Sequence, residues 1–147
     1  MLSLSATSGA EIAPAAYASS SPAYCHAEQT LRDPYGIPET EIRNNQYWSF
    51  NGTYVTAAST TVSGHPLGAP GWTVTSVHAS YGGQTVPALG IQAFGDASFQ
   101  FTGGSYPHTH YADAISEGDG NCTGSFSLSG TVPGMGSYTT QTIFVTY

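Results

Sequence analysis

The pair His108 and His110 is the sharpest chemical motif in the sequence. Residues two apart on a β-strand point to the same face, so both imidazoles could bind one metal ion. Asp113 or Asp119 would then supply a nearby carboxylate ligand. The other interpretation is two exposed histidines in a loop rich in tyrosine and proline. We favour this second interpretation and expect no cofactor.

His78 is the one candidate for acid–base chemistry. By simple alternation it shares a strand face with Trp72 and Val74, so it is expected to point into the interior of a β-barrel. An inward imidazole beside a tyrosine or aspartate could serve as general acid or base in a cyclase or isomerase. A hydrogen-bonded core histidine is the commoner outcome, so we assign no catalytic residue.

Four tyrosines lie in or beside predicted turns: Tyr81, Tyr106, Tyr111 and Tyr138. Aromatic rings with serine, glycine and asparagine neighbours make binding surfaces that lose little conformational entropy, and such rings also stack on sugars. Packing at strand ends explains the same positions equally well. The pattern therefore predicts either a binding surface or structural tyrosines.

The composition excludes several classes of partner. The chain has 147 residues, which suits one domain, and only 7% are charged, with a net charge of −7. Arg32 and Arg43 are the only basic side chains, so they cannot neutralise a row of phosphates, and nucleic-acid binding is excluded. The same charge argues against anionic membranes, and no apolar run is long enough for membrane insertion. Ten Tyr, six Phe and two Trp supply buriable area, which predicts a folded chain.

The pattern of alternation and turns predicts an all-β fold. Strands are predicted at residues 47–56, 72–81, 85–94, 97–102, 122–132 and 138–147, with glycine- and proline-rich turns between them. Residues 106–121 are polar and mixed. Residues 27–45 carry six of the eleven charges and are interrupted by Pro34, Gly36 and Pro38, so at most one or two helical turns are expected there. We predict a single-domain antiparallel sandwich or small barrel.

The first 24 residues are expected to form a low-complexity N-terminal arm on a domain of residues 25–147. They are almost entirely Ala, Ser, Pro, Gly and Thr, and Glu11 is their only charge. The basic start and apolar stretch of a secretory signal are lacking, so either a signal has been removed or export proceeds without one. The arm has too few apolar residues to fold alone, so we expect a neighbouring subunit to hold it.

Cys25 and Cys122 are the only cysteines. One intramolecular disulfide would stabilise the fold by about 4–5 kcal/mol through loop closure. Two free buried thiols are the alternative. The residues alone leave this choice open.

Three short stretches resemble a group of small secreted lipocalin-like β-barrel proteins. One contains Cys25, Thr30, Leu31, Tyr35 and Gly36; the second contains Asn121, Cys122, Thr123, Gly124 and Phe126; between them lies Phe50-Asn51-Gly52-Thr53. About a third of the chain is covered, and Asp33-Pro34 departs from the pattern. The resemblance implies a barrel and a Cys25–Cys122 bridge but no activity. Residues 136–147 also resemble the last strand of fimbrial pilin subunits.

The scarcity of charge favours a protein that self-associates. Beyond residue 46 only Asp96, Asp113, Glu117 and Asp119 are charged, so the strands lack the side chains that discourage edge-to-edge pairing. We expect a non-enzymatic structural protein on a virion surface or in another extracellular assembly, such as a decoration, fibre or spike component. The alternatives are a lipocalin-like barrel that binds a small apolar molecule, with cyclase or isomerase activity as an option, and a lectin-like carbohydrate-binding module.

Overall fold

The protein folds into two antiparallel β-sheets packed face to face. The computed structural model describes residues 5–12, 20–68, 70–133 and 137–147. One sheet has five strands in the order β1-β4-β3-β2-β9, and the other has four in the order β5-β6-β7-β8. The predicted all-β fold is confirmed, and of the two predicted forms it is an open sandwich, because the sheets do not close into a barrel.

The described residues form nine strands, listed here in chain order: β1 Ala6–Ile12, β2 Ser21–Arg32, β3 Pro38–Phe50, β4 Val55–Pro66, β5 Thr73–Tyr81, β6 Gly90–Phe101, β7 Ser105–Glu117, β8 Cys122–Gly130 and β9 Thr139–Thr146. A single 3-10 turn, Thr102–Gly104, precedes β7. Within these ranges no helix has the length and apolarity needed to cross a membrane.

Several stretches contain more strand than the sequence predicts. The predicted strand 47–56 is wrong as a single element, because it covers the end of β3, a turn after Phe50 and the start of β4, which continues to Pro66. Residues 27–45, expected to be irregular, form most of β2 and β3, because Pro34 and Gly36 fall in the turn between the strands and Pro38 only begins β3. The predicted strands 85–94 and 97–102 overlap the single strand β6, and residues 85–89 lie before it. The polar stretch 106–121 contains β7, which pairs with β6 on one side and β8 on the other.

The described part of the predicted arm lies in the five-stranded sheet of its own chain. Ala6–Ile12 forms β1, which pairs antiparallel with β4, from Ala6 opposite Gly64 to Ile12 opposite Ala58. Residues 21–24 begin β2. The expectation that a neighbouring subunit holds the arm is wrong for Ala6–Ile12, because backbone pairing within the chain holds this segment and needs no apolar side chains. Residues 1–4 and 13–19 of the arm lie outside the described residues.

The space between the sheets is filled by a mixture of apolar and polar side chains. Ile42, Val62 and Phe99 pack at its centre. The central strand β3 also turns polar side chains inward: Asn44 donates a hydrogen bond to the carbonyl of Ala112 at 2.8 Å in the opposite sheet. None of the buried side-chain N or O atoms in the described residues lacks a hydrogen-bond partner. The interior therefore combines few aliphatic side chains with satisfied polar contacts between the sheets.

Candidate functional site

His108 and His110 lie inside the sandwich, on the inner face of β7. They are 3% and 0% exposed. Nε2 of His108 lies 2.8 Å from the hydroxyl oxygen of Thr40 on β3, and Nε2 of His110 lies 2.9 Å from the same oxygen. The expected exposed loop is therefore wrong: this segment is a strand, and both imidazoles face the interior.

Proton counting defines the hydrogen bonds of this cluster. Nδ1 of His108 lies 3.1 Å from the carbonyl oxygen of Tyr106, which can only accept, so Nδ1 carries the proton. Nε2 of His108 therefore accepts the hydroxyl proton of Thr40. That hydroxyl has no second proton, so Nε2–H of His110 donates to it. Nδ1 of a neutral His110 then carries no proton, and the Gln29 atom placed 2.9 Å from it is Oε1, which can only accept. The proton count therefore requires the Gln29 carboxamide in the opposite orientation, with its NH2 group donating to Nδ1.

Burial keeps both imidazoles neutral. Burial, followed by the neighbouring His108, lowers the pKa of His110 to about 3. Burial also lowers the pKa of His108, although the hydrogen bond to the Tyr106 carbonyl acts in the opposite direction. Asp113 lies on β7 with its carboxylate accepting from the Gly95 amide, and Asp119 lies in the turn before β8. Among the side chains that the structure describes, no group of three or more His, Cys, Asp or Glu could hold a metal ion.

His78 points to solvent and not into the interior. Its side chain is 67% exposed, and Nδ1 lies 2.9 Å from Oδ1 of Asp96 on the outer face of β6. The expected orientation is wrong because the pairing of β5 with β6 shifts between Val74 and Ser76. The extra residue reverses the alternation, so Val77 packs inward where His78 was expected.

The four tyrosines of the predicted binding surface differ in their surroundings. Tyr81 is partly buried; its hydroxyl donates to Oε1 of Gln46 at 3.3 Å, and burial raises its pKa. Tyr111 is 38% exposed on β7, and Tyr106 is 40% exposed near the start of the same strand. Burial and then the nearby Glu39 raise the pKa of Tyr138. Tyr106 and Tyr111 therefore remain surface residues, whereas Tyr81 serves mainly the core.

The two cysteines form a disulfide between the sheets. Cys25 on β2 and Cys122 on β8 are bonded, with their Cα atoms 6.5 Å apart. The bridge implied by the resemblance is present, and the alternative of free thiols is excluded. The disulfide lies on the side of the sandwich where β9 and β8 are the edge strands of the two sheets.

The edge strands β8 and β9 are the clearest candidate for a functional surface. They come from opposite sheets but lie close together, since a Cβ at Gly124 of β8 would collide with the ring of Phe144 on β9. Neither strand contains a charged residue, a proline or an irregularity in its pairing with its neighbour. Charged side chains, prolines and irregular pairing are the features by which proteins usually prevent edge-to-edge association, and both strands lack them.

The backbone of β9 presents regular hydrogen-bonding groups at this edge. Tyr147 and Tyr24 exchange both backbone hydrogen bonds, at 2.8 and 3.3 Å. In an antiparallel ladder every second residue shares this geometry, and the residues between point their N–H and C=O groups the other way. The outward groups therefore belong to Thr140, Thr142, Phe144 and Thr146. None of them pairs with another strand among the residues that the structure describes.

The opposite pair of edges is protected. Glu11 places a carboxylate on β1, and β5 carries both the irregularity at Val74 and Ser76 and the exposed His78. Irregular pairing and charge both disfavour strand addition. The two sides of the sandwich therefore differ: of the edge strands that the structure describes, only β8 and β9 are both regular and uncharged.

Sequence reasoning identifies the lack of charge in these strands but not their position. The edge position of β9 depends on its pairing with β2, more than a hundred residues earlier in the chain. A second feature, the contact of Tyr24 with Tyr47 and Tyr147, is likewise missed because it depends on register across three strands. No local pattern indicates either arrangement.

Comparison of the chain with protein-family models, curated proteins and solved structures finds no match. The resemblances to lipocalin-like proteins and pilin subunits therefore stay predictions.

Proposed function

We propose that the protein is a non-enzymatic structural component of an extracellular assembly and that it self-associates by strand pairing at the edge formed by β8 and β9. A decoration, fibre or spike component of a virion is the form of assembly that we favour. The observation that carries the proposal is this pair of regular, uncharged edges next to each other.

A second copy of the chain is the partner that this edge suits. The protein has a net charge of −7, so two copies repel each other wherever their charged faces meet. Pairing through β9 would avoid that repulsion, because neither β8 nor β9 carries a charge. It would also satisfy the outward backbone groups of Thr140, Thr142, Phe144 and Thr146 in both copies.

Two further features support a structural role outside the cell. The disulfide between Cys25 and Cys122 is compatible with an oxidising compartment. The buried histidines are fully engaged in hydrogen bonds between the sheets, as expected for structural residues. The lipocalin-like alternative gains no support, because the sheets are open and His78 faces solvent.

Two matched lysine substitutions test the proposal. Ile143 on the edge strand β9 is 42% exposed, and Ile115 on the interior strand β7 is 39% exposed. Sedimentation velocity of the wild-type protein over a concentration series should show reversible or stable oligomers. Ile143→Lys should abolish them, while Ile115→Lys should leave them intact. A wild-type monomer at all concentrations, or equal effects of the two lysines, would refute the proposal.

A further inference from the structure

A row of side chains crosses the outer face of the five-stranded sheet at one level. Tyr24 on β2 pairs with Tyr47 on β3, which pairs with Ser59 on β4, which pairs with Glu11 on β1. Tyr147, directly after β9, pairs with Tyr24 on the other side. Neighbouring strands lie about 4.8 Å apart, so these side chains form a continuous strip.

The three tyrosine rings support one another and fix the orientation of Tyr47. The ring centroids of Tyr24 and Tyr47 are 4.7 Å apart, and those of Tyr24 and Tyr147 are 5.5 Å apart. The hydroxyl of Tyr24 donates to Oδ1 of Asn45 at 2.8 Å, which holds the middle ring in place. Tyr24 thus covers one face of the Tyr47 ring. The other face turns toward β4, and Tyr47 is 50% exposed.

The free face of Tyr47 forms a wall of an open groove of about 240 Å³. Two small residues of β4, Ala57 and Ser59, form the floor of the groove, so the floor lies below the level of the Tyr47 ring. Ser49 and Glu11 complete the polar part of the lining. Within the described part of the chain, the side chains of Ser49, Ser59 and Glu11 have no hydrogen-bond partner. The groove thus combines one rigid aromatic face with unoccupied donors and acceptors.

We propose that this groove binds a neutral saccharide, with one sugar ring stacked on Tyr47. The negative face of an aromatic ring attracts the weakly positive C–H groups on the apolar face of a sugar. Sugar hydroxyls donate well to a carboxylate, and Glu11 offers one at the far side of the groove. Ser49 and Ser59 can each donate to and accept from further hydroxyls.

The charge distribution selects a neutral ligand over an acidic one. Among the described residues that line the groove, Glu11 is the only charged one, and the whole protein carries a net charge of −7. A carboxylated or sulfated sugar would be repelled, since no basic side chain lines the groove to compensate. The groove lies on the face of the sheet near β1, whereas the proposed association edge is at β9, so sugar binding does not depend on self-association.

Saturation-transfer NMR with four trisaccharides tests this site. Cellotriose, maltotriose and mannotriose serve as neutral probes, and trigalacturonate serves as the acidic one. At least one neutral probe should bind, and trigalacturonate should not. Binding of no neutral probe, or of trigalacturonate alone, would overturn the proposal.

Substitutions in the groove test whether the saccharide binds there. Tyr47→Ala and Tyr47→Leu should each weaken the affinity by about tenfold or more, because both lose the aromatic face on which the sugar stacks. Tyr47→Leu keeps an apolar side chain and so separates stacking from simple apolar contact. Glu11→Gln should also weaken it. Tyr35→Ala, which removes a tyrosine that is 89% exposed in the turn before β3, should have no effect. Unchanged binding in both Tyr47 variants would overturn the assignment. Binding that persists in Ile143→Lys would separate this site from the association edge.

Discussion

The hydroxyl oxygen of Thr40 lies 2.8 Å from Nε2 of His108, and this hydrogen bond joins the central strand of one sheet to a central strand of the other. The same hydroxyl accepts from His110. A single buried side chain thus satisfies two imidazoles. In a core with few aliphatic residues, such contacts between sheets fix how the two sheets are placed against each other.

Replacing this hydroxyl should destabilise the fold strongly. Thr40→Val keeps the shape of the side chain but leaves both Nε2 atoms without a partner, so we expect a loss of about 2–4 kcal/mol in the free energy of unfolding. Thr40→Ser retains the hydroxyl and should cost about 1 kcal/mol or less. Urea denaturation monitored by tryptophan fluorescence measures both. Equal losses for the two variants would show that the hydroxyl is not what matters.

Acidification should destabilise the protein at mild pH. The folded state holds the pKa of His110 at about 3, below the ordinary value of 6.5, so the unfolded chain binds the proton more readily. The stabilisation is complete above pH 6.5 and is lost as the pH falls toward 3. Between pH 7 and pH 5 we expect a loss of about 2 kcal/mol from this residue.

The groups that contact the histidines directly do not titrate. They include Gln29, Thr40 and Phe99. Burial raises the pKa of the nearby Glu39 above its ordinary value of 4.5, so Glu39 works in the opposite direction between that value and its raised pKa. Thermal unfolding at several pH values measures the slope. His110→Gln should flatten it, and an unchanged slope in that variant would assign the effect to other residues.

The disulfide should contribute a large share of the stability. Cys25 and Cys122 are separated by 97 residues, and closing such a loop stabilises a fold by about 4–5 kcal/mol in the chain-entropy model. The double variant Cys25→Ala and Cys122→Ala should therefore unfold at much lower urea concentration. Intact mass should rise by the mass of two hydrogens when the wild type is reduced. No mass change on reduction would contradict the bridge.

The sequence predicts the fold class well because the turn residues and the strand alternation are local features. It fails where the interior is polar. Residues 105–117 form the interior strand β7, but their inward side chains include His108, His110 and Ser116, so no apolar alternation marks the strand. It also fails at His78, because one extra residue in β5 reverses the facing of everything after it. Neither the cross-sheet hydrogen bonds nor the irregular register is encoded in a local pattern.

Proline substitutions on β9 should separate association from folding. The amide of Thr142 points away from β2, so Thr142→Pro removes no hydrogen bond of the monomer but should block pairing with a second copy. The amide of Gln141 points toward Thr30, so Gln141→Pro should lower the stability of the monomer itself. Sedimentation and urea denaturation of both variants provide the comparison. Oligomers that persist in Thr142→Pro would place the association surface elsewhere.

Amide hydrogen exchange by NMR tests the proposed edge most directly, because it reports on the backbone groups that should pair. The amides of Thr142 and Phe144 point outward, and the amide of Ile143 pairs with β2 and serves as an internal control. We predict that Thr142 and Phe144 exchange rapidly in dilute protein and become protected as the concentration rises, while Ile143 stays protected throughout. Rapid exchange of Thr142 and Phe144 at every concentration would contradict the account.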